Sequence, residues 1–308
     1  MEIFQCVPNF SEGRNTNVLQ AIDEAMTGIA GVALIDFSAD WDHHRSVFTL
    51  LGNAKGVVAA MKAGARAAVE RIDLRQHTGV HPCAGAVDVV PIVPLQGAAM
   101  ERAMGIAEEL GAYFADELRV PVRFYERNTR SRRSPKLPVI RNAAIGTPQC
   151  QELQGEATPD RGLQFAHETA GIVIVGARSP LVAYNVNLAS SDVRIAQAIA
   201  RKIRLERETN PIFEGVRALG LVLETQQCAQ VSLNITEPDK TPLPPIFRWI
   251  RAEANALGTD AVESEIIGAI PRFSLGNETP EAILWRRFRS GQVLENSIVA
   301  LSLLTSQE

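Results

Sequence analysis

The chain has 308 residues, 46% hydrophobic and 21% charged, with a net charge of −4; this composition suits a folded globular protein and excludes disordered and collagen-like classes. The length exceeds that at which a single core stops growing, so two domains are expected, and the absence of a whole-chain basic field argues against nucleic acid or an anionic membrane as partner. Cys6, Cys83, Cys150 and Cys228 are widely spread with no CxxC pair, the first residues lack the basic start and apolar run of a signal peptide, and the apolar run 171–188 is broken by Arg178. A cytoplasmic protein in a reducing compartment is therefore expected.

In chain order, residues 3–7 read as a strand, the Pro8-to-Gly13 stretch as a turn, and 15–26 as a helix. Strands follow at 31–37 and 45–51, separated by a polar loop, Ser38 to His44. A helix at 54–72 and a strand at 87–93 complete a βαββαβ order, extended by a helix near 100–118 and a strand at 121–125. Between about 127 and 170 no core-forming pattern is apparent. The same order then returns: strand 181–188, helix 191–204, strands 216–224 and 229–235, helix 245–257 and strand 262–270. The tail 278–304 reads as one more helix and an apolar element. The expected class is α/β (an α+β sandwich), two ferredoxin-like βαββαβ subdomains with mixed or antiparallel sheets and helices packed on one face. The expected domains are 1–177 and 178–308, with a ligand cleft between the sheets.

Nucleotide-binding glycine motifs, the nucleophile elbow, HExxH and paired CxxC are all absent from the sequence. Four runs could carry chemistry. His77 and His81 flank Gly79 at a helix-to-strand junction, and Pro82 stiffens the backbone after His81. His81 suits proton transfer near neutral pH, the alternative being an ordinary polar loop. In Asp40-Trp41-Asp42-His43-His44-Arg45 a carboxylate could orient an imidazole and Arg45 could bind a substrate carboxylate, the alternative being a solvated hairpin loop or a divalent metal site. The connector 123–141 carries seven basic residues, Arg123, Arg127, Arg130, Arg132, Arg133, Lys136 and Arg141, against Glu126 alone. It reads as a patch for a polyanionic tail or as a solvated loop. The fourth run, 158–171, reads as a segment closing over a planar ligand or as a plain linker.

The runs Cys6-Val7-Pro8-Asn9-Phe10-Ser11-Glu12-Gly13, His81-Pro82…Gly85-Ala86…Asp88-Val89…Pro91, Gly176-Ala177-Arg178, Asn185-Val186-Asn187-Leu188 and Ala229-Gln230-Val231-Ser232 together resemble the glutamate formiminotransferase family. The likeness is to the transferase portion alone, without the cyclodeaminase domain fused to it in animal enzymes. It implies transfer of a formimino group from N-formimino-L-glutamate to N5 of tetrahydrofolate in histidine degradation, with tetrahydrofolate as co-substrate, no metal, and a homodimer.

The resemblance places the catalytic histidine at His81, with Asp40 or Asp42 as its carboxylate. It places substrate and folate contacts at Asn9, Ser11, Glu12 and Arg45. The folate segment falls on Gly162, Leu163, Gln164, Phe165, Ala166, His167, Glu168, Thr169, Ala170 and Gly171. The chain departs from the pattern at Cys83, where many relatives have Arg, at Asp42-His43-His44-Arg45, where an Asn commonly precedes the Arg, and at 163–168. Rival readings are another folate one-carbon enzyme, such as a 5-formyltetrahydrofolate cycloligase, and a non-catalytic ligand- or RNA-binding protein on the same fold.

Overall fold

A computed structural model describes residues 2–130, 132–144 and 151–305; Cys150 lies outside the described residues. The chain separates into two units, residues 1–179 together with the chain from Leu301 onward, and residues 180–300.

The first unit opens with one interrupted strand. β1 (Phe4–Cys6) and β2 (Asn9–Phe10) both lie between β4 (Arg45–Gly52) and β5 (Val87–Pro94), broken at Val7-Pro8 because proline has no N–H to give the ladder. The helix α1 (Thr16–Met26) is capped by the Asn15 side chain, and α2 (Ala54–Arg71) by Asn53. β3 (Val32–Asp40) pairs with the outer side of β4. The sheet thus runs β3, β4, β1/β2, β5, and continues through the parallel strands β7 (Val173–Ala177) and β6 (Val122–Phe124).

The polar stretch Ser38 to Asp40, expected in a loop, is the end of β3, with Asp40 opposite Arg45. Its polar side chains suit a hairpin end that is only partly covered. The helix α3 (Met100–Asp116) joins α1 and α2 over one apolar face, where Val173, Val175 and Ala177 of β7 are buried.

Ile172 and Ile174, alternating with those residues, face a second cluster containing Ile140, Ala144, Leu153, Ala157 and Ala166. The segment expected to form no core therefore covers the opposite face, through α4 (Leu137–Ala144) and Leu153, Ala157 and Ala166. Its few buried side chains are small and irregularly spaced, so no period advertises them.

The second unit contains β8 (Val182–Leu188), α5 (Val193–Glu206), β9 (Val216–Leu223), β10 (Cys228–Ile235), α6 (Leu243–Ala256) and β11 (Ala261–Ile267). Its antiparallel sheet runs β11, β8, β10, β9, the same spatial order as the strands of the first βαββαβ set. Tyr184, Val186 and Leu188 meet Ile199 and Ile203 of α5 and Ile246 and Ile250 of α6 in one core. The expected tail resolves into two short 3-10 turns, Pro280–Ile283 and Ser290–Gln292, and α7 (Leu294–Thr305).

Candidate active site

Three stretches of the first unit converge around His81. The β3–β4 hairpin turn holds His44 at φ 50°, a left-handed conformation that a side chain of this kind adopts at some cost. Asp40 fixes that turn: its Oδ1 accepts the His43 backbone N–H at 2.7 Å and the His43 Nδ1–H at 2.8 Å. Burial acts to raise the Asp40 carboxyl, yet these bonds from His43 hold it below its usual range. The loop carrying His81 lies against the turn, since Val80 donates to the Asp42 carbonyl at 3.2 Å. A Cβ on Gly79 would stand 2.4 Å from the His43 carbonyl, so only glycine allows this approach.

His81 Nδ1 lies 2.8 Å from the Pro82 carbonyl. A carbonyl only accepts, so Nδ1 carries the hydrogen and Nε2 keeps its lone pair. The His43 and His81 ring centroids are 6.0 Å apart. Burial, followed by the Arg45 and Arg141 guanidiniums, pushes His81 down to about 2, with Asp88 opposing them. In the free protein His81 is therefore a neutral imidazole.

Asp88, fully buried, organises the cations: Arg45 Nη1 and Arg141 Nη2 each donate to its Oδ2 at 2.7 Å, and the Ala84 N–H donates to Oδ1 at 2.7 Å. Burial alone would raise this carboxyl; Arg141 and Arg45 carry it well below the carboxylate range. Asp88 is not among the expected site residues, and Arg141 is expected only as one of seven basic residues of the connector. Asp88 lay in a quoted motif, whereas Arg141 had no local mark distinguishing it from its basic neighbours.

Asn9, Ser11 and Glu12 have polar atoms engaged within the protein. Asn9 Oδ1 accepts from Arg45 Nε at 3.1 Å, and Ser11 Oγ donates to the Gly85 carbonyl at 2.7 Å. Glu12 Oε1 accepts from the Arg14 and Asn15 backbone at 2.8 and 2.9 Å, and contacts His44 Nε2 at 3.0 Å. The His44 ring stacks on His77 at 4.4 Å, and burial with the neighbouring His44 pushes His77 down to about 4. Cys83 is a thiol whose pKa burial and Asp88 raise.

The segment 162–171 divides in two. Gly162, Leu163, Gln164 and Phe165 are exposed, whereas Ala166 and Ala170 are buried. The His167 backbone exchanges hydrogen bonds with Gly171, and its Nδ1 accepts the Ala170 N–H at 3.1 Å and the Thr169 N–H at 3.3 Å. Glu168 pairs with Arg75 at 2.9 Å. Ala86 donates to Ala170, Leu74 to Thr169 and Ile172 to Ala84, so the second half clamps both ends of the His81 loop.

The connector is largely not a free basic patch. Arg123, fully buried in β6, binds Asp160 at 2.8 Å and Glu156 at 3.2 Å; Arg133 shares Asp160 at 2.9 Å, and Arg130 pairs with Glu108 at 3.0 Å. Arg127, Arg132 and Lys136 are exposed. Among the described residues, no group of three or more His, Cys, Asp or Glu could hold a metal ion.

The sequence matches the family described as the formiminotransferase domain, N-terminal subdomain, over residues 3–178, and the formiminotransferase domain over 183–279. It is 37% identical over 275 residues to a glutamate formimidoyltransferase of Streptococcus pyogenes serotype M1, covering 89% of this chain and 91% of that one. It is 36% identical over 300 residues to a glutamate formimidoyltransferase of Thermoplasma acidophilum, covering 97% and 98%. A formimidoyltransferase-cyclodeaminase of Rattus norvegicus is 34% identical over 273 residues, 88% of this chain and 50% of the longer protein.

Proposed function

The chain belongs to the formiminotransferase family, and from that premise we propose that it is a transferase that moves the formimino group of N-formimino-L-glutamate to N5 of tetrahydrofolate, with His81 as general acid/base. The observation that carries this reading is the His81 ring, its Nδ1 pinned to the Pro82 carbonyl and its Nε2 left free beside two guanidiniums.

Both substrates bring carboxylates. Arg141 Nε, buried and without a partner among the described residues, is a charged donor suited to one of them. Exposed Phe165 and Leu163, beside the polar Gln164, offer apolar surface and a hydrogen-bonding edge to a planar ring.

The transfer forms a C–N5 bond, breaks the C–N bond to glutamate, and carries one proton from N5 to the glutamate nitrogen. His81 Nε2 accepts a proton at this step and returns one. A base near 2 is too weak for that task at neutral pH. A substrate carboxylate beside Arg45 and Arg141 offsets the charges that depress it, so His81 gains basicity when its substrate is in place.

Residues 1–177 form the subdomain that carries this site, with 178–308 as the second, in a cytoplasmic homodimer. The dimer is supported by the family alone. The location is proposed from the wide spread of the cysteines along the sequence, with no CxxC pair; among the described residues no helix is long and apolar enough to cross a membrane.

Formimino transfer is followed through conversion of the product in acid to its absorbing methenyl form, for wild type and His81→Ala. An active wild type and at least about a hundredfold loss of kcat in a folded variant are expected. Normal turnover by the variant removes His81 from the mechanism, and an inactive wild type removes the reaction.

A further inference from the structure

The transfer has two proton tasks, removal from N5 and delivery to the departing nitrogen, and the site holds two imidazoles. The Asp40 carboxylate lies 2.8 Å from His43 Nδ1. A carboxylate on that side fixes Nδ1 as the donor, directs Nε2 outward, and supplies a counter-ion for an imidazolium. His81 is built the other way, with a neutral carbonyl on Nδ1 and two guanidiniums nearby. One ring faces a carboxylate and the other a carbonyl, the asymmetry expected of an acid and a base sharing one site.

We propose that His43, oriented by Asp40, is a second catalytic imidazole that delivers the proton to the departing glutamate nitrogen while His81 takes the proton of N5. The assignment rests on the transfer reaction proposed above. As the C–N5 bond forms, the N5 proton passes to His81 Nε2. As the C–N bond to glutamate breaks, its electron pair stays with nitrogen, which receives the proton of His43 Nε2. His81 is then cationic and His43 neutral, and the proton that His81 returns passes by way of His43, which restores the starting state. With ring centroids 6.0 Å apart, both imidazoles belong to one site. Asp40 is a positioning residue, since it acts through His43.

The charged and titratable groups around the pair are Asp40 on β3, Asp42 in the turn, Arg45 on β4, Asp88 on β5 and Arg141 on α4. Asp40 is hydrogen-bonded to the His43 ring.

The experiment compares kcat, KM and the pH profile of kcat for wild type, His43→Gln, Asp40→Asn and His81→Gln, with folding checked by circular dichroism. His43→Gln should lower kcat by about 10²-fold, with both KM values within about threefold of wild type. A required acid makes activity fall as pH rises, so the variant should lose the alkaline limb and added imidazole should partly restore its rate. Asp40→Asn keeps an acceptor for the turn and should lower kcat by about tenfold, with a displaced alkaline limb. An active wild type beside a His43→Gln enzyme with unchanged kcat and an intact alkaline limb overturns the role of His43 and leaves the reaction standing. An inactive wild type overturns both. If His43→Gln fails to fold, Asp40→Asn decides: an unchanged profile there overturns the proposal.

Discussion

Arg45 of β4 and Arg141 of α4 donate to the same oxygen, Oδ2 of Asp88, each at 2.7 Å. One buried carboxylate thus faces two guanidiniums, and the local charge is net positive before any substrate arrives. Burial first, and that excess positive charge next, lower the basicity of His81, and Arg141 Nε keeps a hydrogen to give. An anionic substrate answers both conditions at once, which couples binding to the activation of the base.

Replacing Asp88 by Asn removes the charge that holds both arginines. Truncating one partner of a buried ion pair leaves the others uncompensated and typically costs about 3–5 kcal/mol. Because Asp88 is ionised well below the range of a free carboxylate near 3.9, its stabilisation is present above that pH and is lost as pH falls through its native value. Urea unfolding of Asp88→Asn should therefore show a lower midpoint at pH 7 and a smaller difference from wild type toward pH 3. Equal midpoints at pH 7 would remove Asp88 from this role.

Arg141→Met removes one cation and the orphaned donor while keeping much of the apolar stem. KM for formimino-glutamate or for tetrahydrofolate should rise by about tenfold or more, according to which carboxylate Arg141 binds. With one depressing charge gone, His81 should titrate at a higher pH in the free enzyme. Steady-state kinetics and imidazole NMR across pH check the two effects separately, and an unchanged His81 titration would contradict the electrostatic account.

Much of the scaffold was legible because alternation in a strand and period in a helix are local. The second-unit strands, with Tyr184, Val186 and Leu188 inward, announce themselves without knowledge of their neighbours. The covering segment from α4 to Ala166 does not, since its contribution is a few small residues and a buried Arg123 paired to Asp160 far along the chain. In the site, the His81 and Asp40 runs were marked by residue type and punctuation. The convergence of Arg45, Asp88 and Arg141 was invisible because each belongs to a different element and the pairing is made only by tertiary packing.

Two half-buried imidazoles held below their ordinary value predict the acid sensitivity of the fold. An unfolded histidine titrates near 6.5, so below that pH the unfolded chain binds protons that native His77 and His81 refuse. Stability from these groups is fully present above about 6.5 and declines as pH falls. His77 stops contributing to the decline near its native value of about 4, while His81 continues to about 2. His77→Leu should flatten the stability curve between roughly pH 6.5 and 4, as read from urea midpoints at fixed ionic strength. A parallel curve would show that His77 titrates normally in the native state.

Gly171 links the folate segment to the His81 loop. It has φ 65°, and a Cβ there would lie 2.4 Å from the Ala84 carbonyl, which accepts the Ile172 N–H. Gly155 has a similar φ of 58° with nothing within 4 Å of a Cβ, so alanine at the two sites separates backbone strain from displacement of the clamp. Gly155→Ala should cost about 1 kcal/mol and leave kcat unchanged, the cost of a left-handed alanine. Gly171→Ala should cost more, about 1–3 kcal/mol, and should also lower kcat, since the Ala84-to-Ala86 stretch that ends the His81 loop must move. Denaturation midpoints and kcat for the pair decide the matter; equal losses of stability with kcat intact in both would show that the clamp does not position His81.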